Sequence, residues 1–178
     1  ARSAMQAEPR SLLLAQPSSV QSGESIGIGV EVNWRRLSFK PAHRQEDIDC
    51  FPTRGLFLTR QAFHDLGGFH TILLPHYLSD YEYTIRARRR GYVLRSDPAV
   101  RLMMDEATTG IRAHDYRSVA AYLRSVFTIR ATKNPIYWSS FVLLASPRRL
   151  IPRNLIRVWK RFFKGLAEST RPTSTPAA

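Results

Sequence analysis

Asp80 is the residue best placed for proton chemistry, within Leu74-Pro-His-Tyr-Leu-Ser-Asp-Tyr-Glu-Tyr-Thr-Ile-Arg-Ala-Arg-Arg-Arg-Gly-Tyr92. Ser79 and Glu82 have the S-x-x-E spacing of a capping box, which predicts a helix starting there, and Gly91 can stop it by turning left-handed. Asp80 then falls in the first turn, where free N–H groups and the helix dipole favour its ionised form. A carboxylate at such a helix mouth, facing solvent or a substrate, can take a proton from a hydroxyl as a general base. Glu82 is a supporting carboxylate in the same turn. Arg86 lies four residues on and can equally hold Glu82 in an i,i+4 pair, which would leave Glu82 structural and Asp80 free. In isolation the same residues read as a cap and a solvated arginine face.

Other reactive side chains precede this helix. Arg54 offers a guanidinium fork that matches phosphate or carboxylate oxygens, and an ion pair with Glu46 or Asp47 is its competing arrangement. His76 and Tyr77 lie just before Asp80 and are candidates to line a pocket beside it, although an isolated histidine is more often structural. Asp47-Ile48-Asp49 has the D-x-D form in which carboxylates hold a divalent cation against a diphosphate. His43, His64, His70, His76 and His114 show no metal-site spacing, so no zinc site is expected. The sequence has no Gly-rich phosphate loop, no G-x-S-x-G elbow and no Cys–His nucleophile pair.

The acidic helix resembles the corresponding motif of family 2 inverting glycosyltransferases, in which an acidic residue opens a helix that continues with an arginine and closes on Gly-Tyr. Upstream, Asp47-Ile-Asp-Cys-Phe-Pro-Thr-Arg-Gly-Leu-Phe-Leu-Thr-Arg-Gln-Ala-Phe-His-Asp-Leu-Gly-Gly-Phe69 is similar to the family's strand, short helix and Gly-Gly-Phe turn. Downstream, Asp105-Glu-Ala-Thr-Thr-Gly110 resembles the loop after its last core strand. The likeness runs from about Ser25 to Phe163, in the family order. It implies an α/β fold, a partial GT-A (Rossmann-like) domain, with Asp80 as the base that deprotonates an acceptor hydroxyl. That hydroxyl attacks the anomeric carbon as a nucleoside diphosphate leaves from the opposite face. Arg54, Gly55, His76, Tyr77, Glu82 and Arg86 are implied as acceptor-binding or supporting residues. The resemblance also implies a nucleotide-sugar donor, a glycan or lipid-linked acceptor and a divalent cation, Mg²⁺ or Mn²⁺. The family's metal-binding D-x-D lies further toward the N-terminus than Asp47-Ile48-Asp49, which is therefore read as a decoy. The family's nucleotide-binding half, with its opening strand and that D-x-D, has no counterpart here, so the main metal ligands are expected outside this chain.

The elements that must position these residues follow from periodicity. Ile26, Ile28, Val30, Val32 and Trp34 alternate with Gly27, Gly29, Glu31 and Asn33, the period of a strand buried on one face. Leu56 to Leu58 reads as a short buried strand leading into a helix over Arg60 to Leu66, with Thr59 as N-cap and Gly67-Gly68 as stop. Tyr92 to Arg95 and Val100 to Met104 read as strands separated by an Asp97-Pro98 turn. Beyond Gly110 the period becomes helical. Val119, Ala120, Leu123, Val126 and Phe127 fall on one face, and so do Leu155, Ile156, Trp159, Phe162 and Phe163 of a second helix. Three regions follow: 1–110 as the acceptor-side part of the domain, 111–165 as a basic amphipathic helical extension and 166–178 as a disordered tail.

Composition bounds the partners. The 178 residues suffice for one domain with a sizeable core, in ordinary globular proportions. Cys50 is the single cysteine, which excludes an internal disulfide and suits a reducing compartment. No apolar run reaches the roughly eighteen residues of a membrane span. Leu12-Leu-Leu-Ala15 is shorter than the apolar stretch of a secretory signal and is followed by Pro17, so a cytoplasmic location is expected. The chain opens on Ala1, with Met5 its first methionine, as expected for a piece of a longer protein.

Charge is concentrated toward the C-terminus. Of the net +13, residues 111–178 carry 13 Lys and Arg against 2 acidic residues, while residues 1–110 carry 14 against 12. On the last helix Arg153, Arg157, Lys160, Arg161 and Lys164 back the aromatic stripe. That arrangement suits a helix lying on the inner face of the cell membrane among anionic headgroups. It equally suits a stripe docked on the domain with solvated charges. A non-catalytic basic module binding an anionic membrane or nucleic acid is the alternative reading, although no nucleic-acid motif is present and no nucleic-acid partner is expected for the enzyme. A third is a degenerate fragment with an unpaired sheet edge.

Overall fold

A computed structural model describes residue 8, residues 10–105 and residues 118–170. Most of the Asp105–Gly110 loop, His114 and the residues beyond 170 lie outside the described part. The content is mixed α/β: a three-stranded sheet, a two-stranded hairpin and five α-helices among the described residues.

The centre of the sheet is β1 (Ser11–Ser19), a strand the patterning above does not anticipate. Leu12, Leu13, Leu14 and Ala15 are all buried. A strand covered on both faces is apolar at successive positions and shows no alternation. One edge of β1 pairs antiparallel with β4 (Leu56–Phe57) and the other parallel with β5 (Val93–Met104). The two strands expected over Tyr92–Arg95 and Val100–Met104 are thus one. The Asp97-Pro98 signal appears as a bulge: Asp97 faces Ala15 and Arg101 faces Gln16, leaving three residues without a partner.

The alternating segment forms a hairpin of β2 (Gly29–Asn33) and β3 (Ser38–Ala42). At its tip Leu37 has φ 50°, a left-handed conformation that costs a branched side chain energy. Its side chain is buried with Val142 and Val158, which holds it there. α1 (Arg60–Leu66) starts as expected, with Thr59 Oγ1 accepting from the Ala62 N–H at 3.0 Å. α2 (Ser79–Arg89) carries Asp80.

Three further helices follow: α3 (Val119–Val126), α4 (Pro135–Ala145) and α5 (Ile151–Glu168). α4 is capped by the buried Asn134, whose Oδ1 accepts from the Ile136 N–H at 2.9 Å. Phe141 and Ala145 pack with Ile85, Val32 and Cys50 on one side of α4, and Val142 packs with Val158 of α5 on the other. A helix gripped from two sides has no single apolar stripe, which explains why α4 is not apparent from the period.

The faces expected for α3 and α5 are rotated. Tyr122 and Val126 are the buried residues of α3, while Val119, Ala120 and Phe127 are exposed. Tyr122 sets this rotation by donating from its hydroxyl to the Phe162 carbonyl at 2.9 Å. In α5 the buried line is Asn154 and Val158, flanked by the half-buried Leu155 and Phe162, and Ile156, Trp159 and Phe163 stay exposed. Arg157 and Arg161 are not simply solvated. Arg157 donates to the Arg35 carbonyl at 2.9 Å, and Arg161 to the Arg36 and Leu37 carbonyls at 3.0 and 3.2 Å, tying α5 to the hairpin tip. α5 continues through Leu166, Ala167 and Glu168, so the start of the expected tail at 166 is helical. No helix among the described residues is long and apolar enough to cross a membrane.

Candidate active site

α2 begins where expected but not by the expected cap. Leu78 precedes it at φ 69° with its side chain buried, so Ser79 is already the first helical residue. Ser79 Oγ donates backward to the His76 carbonyl at 3.0 Å. Glu82 is buried and accepts from Arg86 Nε at 2.9 Å and Nη2 at 3.2 Å. Arg86 also donates to the Leu66 and Gly68 carbonyls. The capping box is therefore not formed, because both of its side chains have other partners. The Glu82–Arg86 pair instead fastens α2 to the end of α1.

Asp80 is half-buried and held by backbone donors. Its Oδ1 accepts from the Tyr81 N–H at 2.9 Å and its Oδ2 from the Thr53 N–H at 3.3 Å. Thr84, one turn further and fully buried, positions the second donor. Its hydroxyl donates to the Asp80 carbonyl at 2.9 Å and accepts from the Phe51 N–H at 2.9 Å, anchoring the segment that carries Thr53 and Arg54.

Burial pushes the Asp80 carboxyl above its ordinary value, and the hydrogen bonds from Tyr81 and Thr53, the turn's own N–H and the Arg54 charge only partly offset this. The helix mouth alone suggests the opposite balance, with dipole and N–H groups favouring the ion. Desolvation outweighs them, and a base with a raised pKa is the more effective proton acceptor at neutral pH. Burial likewise raises the Tyr81 phenol, beside Asp80, and the Cys50 thiol.

Asp80 opens into a cleft of about 410 Å³ whose walls include Arg54, Tyr77, Tyr81, Phe39 and Lys40. The Phe39 and Tyr81 rings meet at a tilt of 53° with centroids 4.9 Å apart. Lys40 pairs with Glu31 at 2.9 Å. Arg54 is exposed and lines the cleft, while Glu46 and Asp47 are both engaged by Arg44.

Three of the residues singled out from sequence, Asp80, Arg54 and Tyr77, thus meet at one cleft. His76 is exposed and stacks on Tyr77 at 4.9 Å. Glu82 and Arg86 face α1. Gly55 has φ 69°, and an added Cβ there would sit 2.8 Å from Ala15 Cβ. Its carbonyl accepts from the Ala15 N–H at 2.9 Å, so it fixes the strand edge beneath the site. Sequence reasoning missed Lys40, Thr53, Tyr81 and Thr84. The i,i+4 spacing of Asp80 and Thr84 was the one available signal.

The D-x-D carboxylates are occupied within the fold. Asp47 is held by Arg44 at 2.9 Å, and Asp49 accepts from the Val32 N–H at 2.8 Å and pairs with Arg88. Among the described residues no group of three His, Cys, Asp or Glu side chains converges. The cleft combines one carboxylate with Arg54 and Lys40, a donor set that fits an anion and not a divalent cation. No protein-family model matches this chain, and no curated protein sequence matches it either.

Proposed function

We propose that this chain forms the acceptor-side part of a GT-A-type inverting glycosyltransferase, moving a sugar from a nucleotide-sugar to a hydroxyl of a glycan or lipid-linked acceptor. The observation that carries this reading is the placement of Asp80. A half-buried carboxylate with a raised pKa, oriented by two backbone N–H groups, opens onto a cleft that also presents cationic side chains. The acceptor hydroxyl gives its proton to Asp80 as its oxygen forms the new bond to the anomeric carbon. The bond from that carbon to the diphosphate breaks, and its electron pair leaves with the phosphate oxygen. Arg54, whose charge already acts on Asp80, is suited to offset the negative charge of the departing group. Phe39, Tyr77 and Tyr81 supply flat apolar walls of the kind that pack against sugar rings.

The reading is tested by nucleoside diphosphate release from a panel of nucleotide-sugars, using the native gene product that carries this chain, with and without extracted glycan and lipid-linked acceptors. Acceptor-dependent release with at least one donor is expected, and none with any donor contradicts it. A non-catalytic module that binds an anionic surface is the second reading, favoured by the exposed basic residues of α5. It predicts no acceptor-dependent release.

A further inference from the structure

α5 is amphipathic in three sectors. Asn154 and Val158 face the fold, Arg157 and Arg161 reach the hairpin tip, and a third sector faces outward. In that outward sector Ile156 is 57% exposed, Trp159 38% and Phe163 58%, at i, i+3 and i+7, which places them on one side of the helix. Phe127 at the end of α3, 45% exposed, extends the surface. Its ring lies 5.8 Å from that of Phe162, which in turn lies 5.3 Å from Phe163 and 5.7 Å from Trp159. The four rings form one contiguous aromatic surface, and large exposed apolar patches on folded proteins mark interaction sites.

Arg153, Lys160 and Lys164 border this surface along α5, all exposed. The acid on the helix, Glu168, lies at its end beside Lys164, 3.8 Å away. This pairing of aromatic rings with cations decides the occupant. A second copy docked by two-fold symmetry would bring two basic borders together. A bilayer surface takes aromatic rings at headgroup depth and attracts the cations with its anionic lipids.

We infer that the exposed sector of α5, with Phe127, docks the protein on an anionic bilayer surface, with Trp159 and Phe163 inserted among the headgroups and Arg153, Lys160 and Lys164 against lipid phosphates. The inference stands on this surface alone and is independent of sugar transfer. Flotation of the full chain with phosphatidylcholine vesicles, with or without phosphatidylglycerol, tests it. Binding is expected to be at least about tenfold stronger on the anionic vesicles and to weaken as salt is raised. The Lys160→Glu, Lys164→Glu double variant should lose about tenfold or more, and Phe163→Ser, at an exposed position, a similar factor.

Brominated lipids should quench the tryptophan fluorescence of bound protein, and Trp159→Phe should remove most of that quenching, because Trp34 and Trp138 are partly buried against the inward, Val158 side of α5. Circular dichroism establishes that each variant stays folded. Absence of binding, equal binding to both vesicle types, or unchanged binding by the folded variants overturns the inference. A concentration-dependent dimer dispersed by Phe163→Ser, without vesicle binding, assigns the surface to a second copy instead.

Discussion

Thr84→Val isolates the hydroxyl that orients Asp80, the proposed base. Valine keeps the shape of threonine but removes the hydroxyl, so the buried Phe51 N–H loses its acceptor at 2.9 Å and the Asp80 carbonyl loses its donor at 2.9 Å. A buried donor left unpaired costs ~2 kcal/mol. For a chain of this size that lowers Tm by about 4–8 °C. The segment released is the one that delivers the Thr53 N–H to Asp80 Oδ2. Without that hydrogen bond the ionised carboxylate is less favoured, and a carboxyl already raised by burial rises further.

In the proposed reaction Asp80 must be ionised to accept a proton, so transfer should fail as pH drops through its pKa. The acidic limb of the rate profile should therefore move to higher pH in the variant. Thermal melts and pH–rate profiles of wild type, Thr84→Val and Thr84→Ser check both effects, with serine restoring the hydroxyl and most of the wild-type behaviour. A Tm within about 1 °C of wild type, or a limb that does not move, refutes the argument.

Glu82→Ala should destabilise the fold by about 3 kcal/mol, because it leaves Arg86 without its buried partner; at temperatures where the variant is folded, the pH profile of transfer should be unchanged, and a displaced profile would place Glu82 in the chemistry. Gly165→Ala would gain up to about 1 kcal/mol of helix propensity in an open site. Here the added Cβ would lie 2.6 Å from the Tyr122 hydroxyl, which is already committed to Phe162, so a lower Tm is expected and a higher one would contradict the close packing of α3 on α5. The raised Asp80 carboxyl also makes stability depend on pH. Its contribution is fully present below the ordinary carboxyl range and is lost as pH rises through the folded value. The stability of wild type relative to Asp80→Asn should accordingly fall as pH rises from about 4, as read by denaturant melts, and a constant difference would contradict the shift.

The parts of this molecule that are legible in the sequence are those in which one physical effect dominates. Val30 and Val32 alternate with polar residues because the hairpin is covered on one face, and the Thr59 cap is a local bond between near neighbours. Tyr77 meets Asp80 as a near neighbour in sequence, whereas Arg54 is brought there by a long-range contact, the docking of Phe51 on Thr84 of α2. Elements buried on two sides escape detection. Leu12 to Ala15 and Phe141 to Ala145 are apolar without a period, so their lengths and partners depend on tertiary contacts. Ser79 and Glu82 mislead for a related reason. The capping-box spacing is present, but a buried ion pair with Arg86 holds Glu82 more strongly than a cap would.

The central claim is that Asp80 takes the proton of the acceptor hydroxyl. Its most direct test is the rate of sugar transfer by Asp80→Asn beside wild type, under saturating donor, on the native gene product. Asparagine preserves the shape and removes the base, so the rate should fall about a hundredfold or more while nucleotide-sugar affinity stays within a small factor. Transfer at the wild-type rate would contradict the assignment.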